Sequence, residues 1–137
     1  MPPVLHAILV PVDGSEGSAR GARYAAELSR LVGASITLLF ITAREEDADD
    51  ALVLARRDGR GPFAVASDAM GMSLDALALR TASGDPATAI LRTARDEGSD
   101  LIVLGSRGLS PDEDARIGSV SRRVLGQAPC PILVVPH

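Results

Sequence analysis

The residues best suited to chemistry are two glycine clusters, Gly105-Ser106-Arg107-Gly108 and Gly118-Ser119, separated by nine residues. The chemistry they suit is the holding of a phosphate. The first cluster ends an apolar run, Leu101-Ile102-Val103-Leu104, which reads as a buried strand. A glycine turn after a strand lets backbone N–H groups converge on an anion with no Cβ in the way. The second cluster opens a helical stretch over residues 119–126. A helix start offers unpaired N–H donors and the positive end of the helix dipole. The hydroxyls of Ser119 and Ser121 can each add a donor, or Ser119 can serve simply as the helix N-cap. Arg107, the cation inside the turn, reads either as a phosphate fork or as a solvated arginine.

A carboxylate sits poorly beside a phosphate but well beside a ribose or an amine. Asp13, at the end of the first apolar run, is of that kind. Its other reading is a turn residue, because Asp-Gly-Ser is ordinary turn and N-cap chemistry. No catalytic set accompanies these groups. His6 falls inside the first strand and reads as core, and His137 is the last residue. No Cys/His spacing suggests a metal, and no Ser/His/Asp set assembles. Asp49, Asp50 and Asp85 read as surface or cap residues.

Composition narrows the classes further. The 137 residues suit one domain, and 46% are apolar, enough for a full core. Aromatics are confined to Tyr24, Phe40 and Phe63, so the core must be aliphatic, and base stacking on an aromatic platform is not expected. The net charge is −4, and no basic run exceeds two arginines, so nucleic acid and anionic membranes are poor partners. All 14 basic residues are arginine, which removes P-loop, Schiff-base and catalytic lysines, and with them a phospho-receiver domain. Cys130, between Pro129 and Pro131, reads as a small buried thiol. No signal peptide precedes Val4 and no run approaches a membrane span, so the expected location is the cytoplasm.

The elements that must position these groups alternate regularly. Strands are expected at 5–12, 35–42, 74–82, 101–105 and 131–136. Helices are expected from Ser15 or Glu16 to about 32, over 51–57, over 63–72, from Asp85 to about 97, and over 119–126. The acidic run at 45–50 is the expected start of the middle helical stretch, where the helix dipole favours it, with 51–57 its continuation, and Gly59-Arg60-Gly61-Pro62 breaks it. This order predicts an α/β fold: a single doubly wound domain, residues 1–137, with a five-stranded parallel sheet flanked by about four helices. Ligands of such sheets sit beyond the strand C-termini, where strand order reverses. Asp13, Ile41 and Gly105 all fall at strand C-termini.

The chain resembles the universal stress protein family, in its nucleotide-binding form. The resemblance is carried by Ile8-Leu9-Val10-Pro11-Val12-Asp13-Gly14-Ser15, by Asp100 through Gly108 with Gly118-Ser119-Val120-Ser121, and by Cys130-Pro131-Ile132-Leu133-Val134-Val135. Gly84-Asp85-Pro86-Ala87 matches more weakly. The resemblance implies an adenine nucleotide alpha-hydrolase-like fold and an ATP site. Asp13, with the backbone at Pro11 and Val12, would bind the adenosine part. Ile41 would contact adenine through its backbone. Gly105, Arg107 and Gly108 would wrap the ribose and phosphates, and Gly118, Ser119, Val120 and Ser121 would present N–H and hydroxyl groups to the phosphates. It also implies a homodimer through the strand Ile132-Leu133-Val134-Val135.

The nine-residue spacer carries Asp112-Glu113-Asp114, which opposes a triphosphate, recruits Mg²⁺, or points to solvent. The expected function is a cytoplasmic ATP-binding stress or signalling switch acting on an unnamed protein partner, with ATP bound with or without Mg²⁺. The alternatives are a nucleotide-free dimeric interaction module and a slow ATP-hydrolysing enzyme. The last is disfavoured by the missing lysine and base.

Overall fold

A computed structural model describes residues 5–106 and 118–136. Five strands form one sheet: β1 (Ala7–Val12), β2 (Ser35–Thr42), β3 (Ala78–Ser83), β4 (Leu101–Gly105) and β5 (Ile132–Val135). Every pairing is parallel and the order is β3-β2-β1-β4-β5. The chain winds outward from β1 to β3, then returns to the other side of β1. Strand order therefore reverses between β1 and β4, as the alternating elements predict.

Among the described residues, five α-helices cover the sheet: α1 (Glu16–Val32), α2 (Glu46–Val53), α3 (Pro62–Met70), α4 (Pro86–Glu97) and α5 (Ser119–Gln127). Alternation along β1 explains the two layers. Ile8, Val10 and Val12 face Ala22, Ala25 and Ala26 of α1 together with Phe63, Ala66 and Met70 of α3. Leu9 faces the other way, into Ile90, Leu91 and Ala94 of α4 and Val124 of α5. Alanine-rich helix faces let the helices lie close on the sheet. The one large filler, Phe63, is fully buried and meets Phe40 edge-on, with ring centroids 6.2 Å apart. Truncating such a ring costs ~3–5 kcal/mol.

Helix ends follow their local chemistry. The Ser15 side chain caps α1 and Asp85 caps α4, with Pro86 in the first turn. Gly33 and Gly98 close the same helices in left-handed conformation. Between β2 and β3 the helical stretch splits. α2 runs on into a π-helical turn, Leu54–Asp58, and α3 starts after Gly61.

Three expectations need correction. The third strand does not begin at Leu74. Ser73 accepts from the Asp75 N–H and folds Leu74–Ala76 into a 3-10 turn, so pairing starts at Ala78. His6 is exposed, not core. The Asp100 carboxylate accepts the backbone N–H groups of His6 and Ala7, at 2.9 and 3.0 Å, and holds a bend there before β1 begins. Cys130 is half-buried rather than enclosed.

Candidate functional site

The C-terminal ends of β1, β2 and β4 lie side by side. Val12 is in register with Phe40, so Asp13 and Ile41 follow next to each other. β1 also pairs with β4, bringing Asp13 and Gly105 to the same rim on either side of the reversal. Pro11 and Val12 are buried, and Ile41 is half-buried against the α4–α5 layer.

After β1 the chain turns tightly. Gly14 has φ +84°, in the left-handed region that favours glycine. Asp13 Oδ1 accepts the Ser15 N–H at 2.8 Å, and the Asp13 N–H donates to Ser18 Oγ at 3.2 Å. The Ser18 N–H donates to Ser15 Oγ at 3.1 Å. Asp13 is thus a turn residue, as one of its two readings held. Its second carboxylate oxygen nevertheless has no partner among the described residues.

Gly105 has a packing reason to be glycine. A Cβ there would lie 2.5 Å from the Gly17 carbonyl oxygen and 2.8 Å from its carbon. A Cβ on Gly21 would lie 3.3 Å from the Gly105 nitrogen. The first turns of α1 therefore rest on the β4 terminus backbone to backbone. Gly17 and Gly21, four residues apart on one helix face, are part of the site's construction. Their spacing was the available signal, and sequence reasoning passed over it.

Ser106 is buried and joins the parts. Its N–H donates to the Val135 carbonyl at 2.9 Å, and its carbonyl accepts the Gly118 N–H at 2.6 Å. The Ser121 hydroxyl, also buried, donates to the Gly105 carbonyl at 3.3 Å. These bonds tie the start of α5 to the end of β4. Gly118 is the extended N-cap of α5, with no side chain capping the helix. Ser119, exposed, is the first helical residue and not the cap. Among the described residues no side chain caps the first-turn amides of Ser119, Val120 and Ser121, whereas Ser15 and Asp85 fill that place at α1 and α4. Arg107, Gly108 and the spacer with Asp112, Glu113 and Asp114 lie outside the described residues.

Asp85, at the start of α4, joins α4 to α5. It accepts from the Thr88 hydroxyl at 2.7 Å, from Arg123 at 3.0 Å, and from the Thr88 N–H at 3.0 Å. Those hydrogen bonds, Thr88 first, hold its pKa at about 2. Burial, with a smaller push from Asp100, raises the Cys130 thiol above its ordinary value, which opposes thiolate chemistry.

The family model for universal stress proteins matches residues 5–136. The chain belongs to the universal stress protein family. A relative from Thermus aquaticus, "Universal stress protein in QAH/OAS sulfhydrylase 3'region", is 37% identical over 93% of this chain and 96% of its own length. Among solved universal stress proteins, UspA from Lactobacillus plantarum superposes with a TM-score of 0.72 at 27% identity, covering 98% of this chain and 99% of that one. A universal stress protein in complex with cAMP superposes at 0.71 with 25% identity, covering 97% and 98%. The family and the fold expected from sequence are therefore both met.

Proposed function

We propose that this universal stress protein binds an adenine nucleotide, ATP by our reading, at the rim where β1 meets β4, and that occupancy changes the surface it shows to a partner. The observation that carries the reading is the uncapped start of α5. It is tied to the end of β4 by the Gly118–Ser106 and Ser121–Gly105 hydrogen bonds and faces the rim that also bears Asp13. Amides so placed suit phosphate oxygens. The unpartnered oxygen of Asp13 suits a ribose hydroxyl or an adenine amine, with Ile41 alongside as apolar wall. The Gly118 N–H and the Ser121 hydroxyl are engaged within the chain, so the donors left for phosphate are the amides of Ser119, Val120 and Ser121 and the Ser119 hydroxyl. Arg107 and Gly108 belong to the same assignment. A relative of the same fold is known in complex with cAMP, which favours adenine as the base.

The switch part of the reading rests on Ser106, which bonds both the start of α5 and the last residue of β5. β5 is an edge strand, paired on one side by β4, and its run Ile132-Leu133-Val134-Val135 carries no charge. Such an edge invites pairing with a second copy, and a homodimer through β5 is part of the proposal, as is a cytoplasmic setting.

One observation favours a second reading. The Gly17–Gly105 contact demands glycine at Gly105 whether or not a nucleotide binds, so the glycine turn alone is compatible with a nucleotide-free interaction module. Calorimetric titration of nucleotide-stripped protein with ATP, with and without Mg²⁺, separates the two. Saturable binding lost in Asp13→Ala and Ser119→Asp supports the nucleotide site. Absence of heat at millimolar ATP with the fold intact supports the module.

A further inference from the structure

The sheet has a second edge, chemically unlike the first. β3 is paired by β2 alone. The Gly84 N–H donates to the Thr42 carbonyl at 3.0 Å, and Ala82, two residues earlier along the strand, has the same orientation. Residues 82 and 84 therefore turn their peptide groups toward β2. By the alternation of a strand, Thr81 and Ser83 turn theirs outward. The Leu79 carbonyl, on the same outward side, already accepts from a guanidinium, that of Arg80. A cavity of about 550 Å³ opens along this half of β3, between α2 and α4. It is lined by Thr81 and Ser83, by the carboxylates of Glu45 and Asp49, by Asp85, which Arg123 already holds, and by one guanidinium, Arg92. Two strands of the sheet, β2 and β1, separate it from the β4 terminus.

We infer that this edge is a docking surface for an extended basic segment of a partner protein, added to the sheet as a sixth strand beside β3. The outward peptide groups of Thr81 and Ser83 supply the main-chain hydrogen bonds, and the cavity receives alternate side chains. Charge selects the occupant. The exposed carboxylates of Glu45 and Asp49 stand at the opening, and Asp50 follows them on α2. A cationic side chain meets them favourably. A second copy of β3 would bring the same carboxylates against themselves, which disfavours self-pairing here. The uncharged β5 has no such bar. The inference does not rest on nucleotide binding.

The test uses the whole protein and two soluble peptides, one alternating Val and Arg, the other Val and Glu. Binding is followed by fluorescence anisotropy at two salt concentrations, with hydrogen exchange read at Thr81 and Ser83. The Val/Arg peptide is expected to saturate, to weaken as salt rises, and to protect those two amides. Glu45→Gln with Asp49→Asn should weaken it about tenfold, from the loss of two partly screened charge pairs. Thr81→Pro should abolish it, because proline removes an outward N–H, at a kind of edge-strand position that tolerates proline. Circular dichroism checks that variant; if it fails to fold, the double variant and the exchange data decide. Equal binding of both peptides overturns the inference. So does binding unchanged by the variants, or no saturation at all. Protection of Thr81 and Ser83 in concentrated protein without peptide would assign the edge to a second copy and overturn it as well.

Discussion

Replacing Gly105 by alanine tests whether the glycine turn is held by packing before any ligand arrives. The added Cβ would sit 2.5 Å from the Gly17 oxygen and 3.3 Å from the Ser18 nitrogen. Carbon needs about 3.5 Å from a neighbouring heavy atom, so the first turn of α1 must retreat by roughly 1 Å. It is poorly free to do so. The Asp13–Ser15–Ser18 hydrogen bonds fix that turn to the end of β1. Gly105 itself is not in the left-handed region, so no backbone strain adds to the clash. Overpacking of this kind costs ~1–3 kcal/mol. At roughly 4 °C per kcal/mol for a domain of this size, Tm should fall by about 4–12 °C. Urea unfolding followed by far-ultraviolet circular dichroism measures the loss directly. Two other glycines calibrate it. Gly21→Ala, with its Cβ 3.3 Å from the Gly105 nitrogen, should lose less. Gly126→Ala, with nothing within 4 Å and a helical position, should gain about 0.5–1 kcal/mol. A Gly105→Ala protein as stable as the parent, or more stable than Gly21→Ala, would refute the packing argument.

Ser119→Asp should separate helix stability from anion binding. A carboxylate in the first turn of α5 favours the helix dipole by ~0.3–1 kcal/mol, yet it repels a phosphate at the same amides, so Tm rises while ATP affinity falls; calorimetry showing both unchanged would count against the phosphate assignment. Asp85 gives a pH signature. Its folded pKa, about 2, lies below the ordinary 3.8, so its stabilising effect is complete above the ordinary value and is lost as pH falls through about 2. The stability gap between the parent and Asp85→Ala should be flat from neutral pH down to about pH 5, then narrow toward pH 2. A gap independent of pH in acid urea titrations would mean that the Thr88 and Arg123 bonds do not hold the carboxylate.

The parts of this fold that were legible in the sequence are those decided locally. β2 and β4 are continuous apolar runs because both sheet faces are covered, and Asp85-Pro86 with Gly98 bracket α4 by cap chemistry alone. What was hidden was decided by distant partners. His6 looks like core in sequence, but Asp100, far along the chain, captures its N–H and holds it outside the strand, which starts only at Ala7. Leu74 to Leu77 alternate like a strand, yet the Ser73 hydroxyl captures a backbone amide first. Gly17 and Gly21 look like weak helix residues until β4 is laid against them. At the candidate site the rim residues were legible as strand ends. The sharing of donors between chain and ligand was not, because it depends on where Ser106 and Gly105 present their carbonyls.

Ser106 sets a final requirement on the proposed switch. Its carbonyl holds the Gly118 N–H and its N–H holds the Val135 carbonyl, while Arg20 of α1 reaches the next carbonyl, at Pro136, at 3.3 Å. A ligand that draws the start of α5 toward the rim pulls on Ser106, and through it on the end of the edge strand. If β5 pairs two copies, nucleotide and dimer are coupled through one residue. Linkage then makes the effect reciprocal: the factor by which ATP changes the dimer constant is the factor by which dimerisation changes ATP affinity. ATP titrations at protein concentrations on either side of the dimer constant, set by analytical ultracentrifugation, should give two affinities. Couplings of this kind usually amount to about 5–150-fold. A single affinity across that range, with dimer present at one end and monomer at the other, would mean that the Ser106 bonds hold the fold together without transmitting anything along it.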